Sequence, residues 1–259
     1  MKRILVLLFI LISPFAWSQK KKKNEKAEPA KQEAQQQQQA VQQPKPVEQP
    51  KDTVPQINPI IRHFAIKYQT ALQWNDYDVA KDALYDLIIE NPGNDSLIYE
   101  LASFYYQNQK YPSAVLVSQE LLRRNPKNIG ALSISAIGYE NIGAADRALQ
   151  NYESLYLLSN EPATLYKMAF LQYQLKRYKE SSTSIDILLA DPQVEKLKVN
   201  YTGADNKAKE YAMRVALLNL KGLVAQDQGD KVGAKNFFNQ ALAIAPDFGP
   251  AKENAAKLK

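Results

Sequence analysis

The amino-acid sequence predicts an all-α protein: a helix-turn-helix repeat solenoid of about five units with a C-terminal capping helix, preceded by a signal peptide and a disordered tail. Three observations predict it. A small residue recurs at Ala80, Ala114, Ala148, Ser181 and Ala234, in steps of 34, 34, 33 and 53 residues. Two helical patterns fall inside each step, and a proline follows the small residue by twelve positions at Pro92, Pro126 and Pro246. A period near 34 residues is the spacing of stacked helix pairs, which together bury a core that no single pair could bury.

The elements follow in order from the N-terminus. Met1-Lys2-Arg3 is a short positive segment, Ile4 to Ile12 is wholly apolar, and Ala16-Trp17-Ser18 places small residues where a signal peptidase needs them. Residues 1–18 therefore read as a signal peptide cleaved after Ser18. The apolar run is shorter than the roughly 20 residues that span a bilayer. Lys20, Lys21, Lys22 and Lys23 follow at once and oppose translocation, so an uncleaved membrane anchor stands as the alternative. Export points to the periplasm. The chain has no cysteine, so an exported fold must rest on its apolar core.

Residues 19–53 form a Lys/Gln/Pro-rich linker with almost no large apolar side chain, a composition that cannot offset its own ordering entropy. From Val54 onward the chain carries 23 basic and 22 acidic residues, so the basic isoelectric point belongs to the signal and linker. That balance gives residues 54–259 no nucleic-acid footprint. Peripheral contact with a membrane or cell wall would run through Lys20, Lys21, Lys22 and Lys23, a run that also reads as a solubilising segment.

The second unit shows the repeat most clearly. Leu97, Ile98, Leu101, Ala102 and Tyr105 have helical spacing, Gln107 to Lys110 form a turn, and a second helix opens at Tyr111-Pro112 and closes before Asn125-Pro126. In the third unit Asn160 stands at the proline position, with Pro162 following. The long last step holds an insertion at about 193–209, read as a turn around Gly203 before a helix from Lys207, or as an extension of the flanking helices. Gly249 to Leu258 reads as a polar cap on the last repeat.

On these residues the chain resembles the tetratricopeptide repeat family over roughly Asn58 to Pro246. Phe64, Ile98, Leu132, Leu165 and Leu218 match the family's bulky fourth position, and Ala102, Ala136, Ala169 and Gly222 its small eighth, where Tyr68 departs. The recurrent small residues match the twentieth position, and Leu84, Tyr152, Ile185 and Phe238 the bulky twenty-fourth, where Ser118 departs. The resemblance implies a protein-interaction scaffold whose first helices line a concave groove. It places Gln69, Tyr99, Tyr106, Glu140, Tyr166, Phe170, Tyr173 and Asn219 in that groove. Tyrosine suits recognition because it offers broad contact at small entropic cost, and the same rings also suit packing between repeats. The lysine-asparagine clamp that some relatives use for a C-terminal carboxylate is absent, its places being held by Ala65, Gln69, Glu100, Gly130 and Ile134.

No catalytic residue, metal site or cofactor is expected. His63 is the only histidine, and no HExxH, GxSxG or phosphate-cradling glycine loop occurs. The leading expectation is a non-enzymatic adaptor of the cell envelope binding a protein or peptide. The alternative is a structural tether between membrane or wall and an envelope complex.

Overall fold

The computed structural model describes residues 58–202 and 208–258. The expected signal peptide, the linker with Lys20 to Lys23, and the expected turn at Gly203 lie outside the described residues. No helix among the described residues is long and apolar enough to cross a membrane.

Five helix pairs follow one another along the chain. They are α1 (Pro59–Gln73) with α2 (Tyr77–Glu90), α3 (Asp95–Gln107) with α4 (Tyr111–Arg124), α5 (Ile129–Asn141) with α6 (Ala145–Ser159), α7 (Pro162–Gln174) with α8 (Tyr178–Ala190), and α9 (Met213–Asp227) with α10 (Lys231–Ile244). The helix α11 (Gly249–Lys257) packs on α9 and α10 as the predicted cap. Each recurrent small residue, from Ala80 to Ala234, is completely buried, which is why nothing larger recurs there. The polar member of the series, Ser181, donates its hydroxyl to the Ala169 carbonyl at 2.8 Å.

The turns within pairs are nearly identical. The fifteenth residue of every unit is left-handed: Asn75, Gln109, Gly143, Lys176 and Gly229 have φ between 56° and 88°. The next amide bonds the carbonyl five residues back, as in Lys110 N to Tyr105 O at 2.8 Å and Arg177 N to Gln172 O at 2.8 Å. This is the Schellman closure, which satisfies carbonyls left over at a helix end. Between pairs, Asn94 and Asn128 cap α3 and α5 by accepting from the amides of Ser96 and Ala131. Asn160 is left-handed, and Pro162 then opens α7.

The departures from the repeat pattern have local explanations. Tyr68 reaches out of its crowded position to donate to Glu100 of α3 at 2.7 Å. Ser118 is completely buried and donates to the Val115 carbonyl at 3.0 Å. Gly222 is glycine because a Cβ there would overlap the buried ring of Phe238.

The insertion corrects the helical expectation. A 3-10 turn (Pro192–Lys196) leads into an antiparallel hairpin of β1 (Lys198–Thr202) and β2 (Ala208–Ala212), and α9 begins at Met213 rather than Lys207. The reason is a two-residue alternation. Val199, Tyr201 and Tyr211 turn inward on one face, while Lys198 and Glu210 pair on the outer face at 3.1 Å. The Met213 amide bonds the Leu197 carbonyl at 2.8 Å and fixes the hairpin to the start of α9.

Candidate protein-interaction face

The first helix of each pair, α1, α3, α5, α7 and α9, carries the positions expected to face inward. Gln69 is exposed on α1. Tyr99 of α3 is 39% exposed, and its ring lies across Gly130 of α5, where a Cβ would collide with it. One tyrosine thus serves both as surface and as packing between neighbouring units.

Farther along α3, Tyr106 stacks edge-on against Tyr111, the first residue of α4, with ring centroids 6.4 Å apart. Burial, with Tyr111 and Glu140 adding to it, raises the Tyr106 hydroxyl above its ordinary pKa. Glu140, expected to line the groove, is engaged by neighbouring side chains. Its carboxylate accepts from Lys167 Nζ of α7 at 2.9 Å and from the Tyr152 hydroxyl of α6 at 2.9 Å. The groups are held between units, so Glu140 joins repeats rather than presenting a free charge. Burial is the first cause that pushes the Tyr152 hydroxyl well up, and the Glu140 field adds to it.

Two further expected groove residues are corrected. Tyr166 is 2% exposed, and its hydroxyl is hydrogen-bonded to that of Tyr201 on β1. The hairpin covers Tyr166. Asn219 is buried because α11 packs beside α9, and its side chain accepts from Asn254 at 3.0 Å. The hairpin is also clamped by Phe248, whose ring meets those of Tyr201 and Tyr211 edge-on, each with centroids 4.9 Å apart. Lys209 pairs with Asp247 beside this contact.

Phe170 and Tyr173 of α7 are half-buried. Tyr173 faces Tyr178, the first residue of α8, at 6.1 Å between centroids, and both hydroxyls are hydrogen-bonded to Asp227 at the end of α9. Burial first, and then the Asp227 charge, raises the Tyr173 pKa. Tyr111, Tyr178, Tyr201 and Asp227 were missed from the sequence. Part of the signal was present: tyrosine opens the second helix in the first, second and fourth units, at Tyr77, Tyr111 and Tyr178.

No protein-family profile and no curated protein matches this chain. Solved structures do. The chain is similar to a tetratricopeptide repeat protein from Parabacteroides merdae at 20% identity, over 78% of this chain and 73% of that one, with a TM-score of 0.57. It is similar to a MamA fragment from Desulfovibrio magneticus at 11% identity, over 74% and 98%, with a TM-score of 0.55. It is also similar to YrrB, a tetratricopeptide protein described as having an unusual peptide-binding site, at 12% identity, over 75% and 90%, with a TM-score of 0.59. The chain has the tetratricopeptide-repeat fold.

On this tetratricopeptide solenoid the clamp positions present no cationic pair. Ala65 and Gln69 lie on α1, Glu100 is engaged by Tyr68, Gly130 lies under Tyr99, and Ile134 is buried.

Proposed function

We propose that this protein is an exported, non-enzymatic scaffold of the cell envelope that binds a peptide or protein segment along the concave face of its repeats. The observation that carries the reading is the set of accessible rings on two of the first helices, on either side of α5: Tyr99 and Tyr106 on α3, Phe170 and Tyr173 on α7. Rings with a hydroxyl make large contacts at little rotamer cost, and a solenoid needs no change of shape to present them. The peptide-binding site described for YrrB, on the same fold, supports this use.

The test is crosslinking and capture with Tyr99, Tyr106, Phe170 and Tyr173 together replaced by alanine. Loss of the captured partner by a variant that keeps its helical circular dichroism is the expected result. Unchanged capture removes the groove assignment. Location is tested separately by fractionation and by the mass of the mature N-terminus, which export predicts to begin at Gln19. An intact signal segment in the membrane fraction would favour the tether.

A further inference from the structure

We propose that the C-terminal end of the concave face, between α7 and α9, is a receptor for a cationic side chain, a lysine or arginine presented by an extended partner segment. The inference deepens the groove reading and rests on it for the partner being a polypeptide.

The first argument is an electrostatic mismatch. Asp227 is the last residue of α9, where the unpaired carbonyls already concentrate negative charge, and no basic residue occupies the last turn of that helix. A carboxylate there opposes the helix dipole. Local rules broken without compensation mark functional positions. The comparison lies within the same chain: Glu140, near the end of α5, is neutralised by Lys167 from the next unit. Among the described residues Asp227 forms no ion pair.

The second argument is the company Asp227 keeps. Tyr178 donates to its Oδ2 at 3.4 Å and Tyr173 is also bonded to it, so two hydroxyls hold the carboxylate in place and no cation pairs with it among the described residues. Their rings, tilted at 47° to one another with centroids 6.1 Å apart, lie next to that carboxylate through their hydroxyls. A carboxylate with aromatic side chains beside it is the chemistry that receives an ammonium or guanidinium.

The third argument is an unmet acceptor. Gln226, next to Asp227 and in the place on α9 that Glu140 holds on α5, has its Oε1 buried with no hydrogen-bond partner among the described residues. A ligand that satisfies it must bring a donor, as lysine and arginine do. The hairpin covers Tyr166 toward the opposite end of α7, whereas Asp227 is exposed.

The experiment titrates the isotopically labelled full chain with N-acetyl-lysine methylamide and with its norleucine counterpart, which has the same stem without the charge. The lysine compound is expected to shift the amides of Tyr173, Tyr178 and Asp227 saturably, with an apparent affinity at least about fivefold above that of norleucine. Asp227→Asn keeps the shape and removes the charge, and it should erase that difference while its melting temperature stays the same or rises. Tyr178→Leu should weaken lysine binding and leave norleucine binding unchanged. Equal responses to the two compounds, no response to either, or a lysine response that survives Asp227→Asn would each overturn the receptor. The outcome is separable from the groove reading: capture that depends on the four aromatic residues while lysine has no effect rejects the receptor alone.

Discussion

The hydroxyl of Tyr201, carried by the inserted hairpin, is hydrogen-bonded to the hydroxyl of the buried Tyr166 on α7. The Tyr201 ring also meets Phe248 at the start of α11. Tyr201→Phe keeps the ring contact and loses the hydroxyl pairing, at an expected cost of about 1 kcal/mol. Tyr201→Ala should cost about 2–4 kcal/mol. Urea unfolding of the two variants checks the order, and amides of β1 and β2 in the alanine variant should lose protection from hydrogen exchange first.

The left-handed turn residues set a second expectation. Lys176 has φ 61° and bears a Cβ, whereas Gly143 and Gly229 fill the same place in other units. Lys176→Gly should raise stability by about 0.5–1 kcal/mol, and Gly229→Ala should lower it by about 1 kcal/mol. Both should shift the denaturation midpoint without altering its slope, since neither changes the surface exposed on unfolding.

Two glycines separate surface from core. A Cβ at Gly222 meets Phe238, which is completely buried, and a Cβ at Gly130 meets Tyr99, which is 39% exposed. Gly222→Ala should therefore destabilise by about 1–3 kcal/mol, because the ring has nowhere to go. Gly130→Ala should be within about 0.5 kcal/mol of neutral, because Tyr99 can swing outward. A comparable loss in the two variants, measured by thermal melting, would show that Tyr99 is pinned.

Alkali should unfold the protein in a defined direction. Burial is the first cause raising the hydroxyl pKa of Tyr152 and Tyr166, and a hydrogen bond to Tyr105 followed by burial pushes Tyr85 up to about 12. The folded state holds these protons more tightly than the unfolded chain, whose tyrosines titrate near pH 10. The contribution is thus complete below pH 10 and is lost as pH rises beyond it. Stability from urea unfolding should fall between pH 10 and 12, and Tyr152→Phe with Tyr166→Phe should flatten that fall.

The helix pairs were legible in the sequence because each small residue sits where two helices touch, and contact tolerates no alternative volume. The hairpin was not, although Lys198 to Thr202 alternate in the manner of a strand. A five-residue alternation is weak beside a strong helical period, and its inward rings find their partners at Tyr166 and Phe248, far along the chain. The site was half legible for a related reason. Repeat position says that Tyr106, Glu140 and Tyr173 point inward, but whether each stays free depends on its neighbour in the next unit. Lys167 occupies Glu140, whereas Asp227 anchors Tyr173 without neutralising itself.

In a repeat protein each unit touches only its neighbours, so stability behaves as a chain of independent links. The hairpin breaks that rule by fastening the fourth unit to the start of the cap, past the whole of the fifth. Units four and five should therefore be coupled to the cap more tightly than nearest-neighbour packing alone would couple them. A pull applied to the N-terminus would peel the chain one pair at a time and then stall at a single larger step.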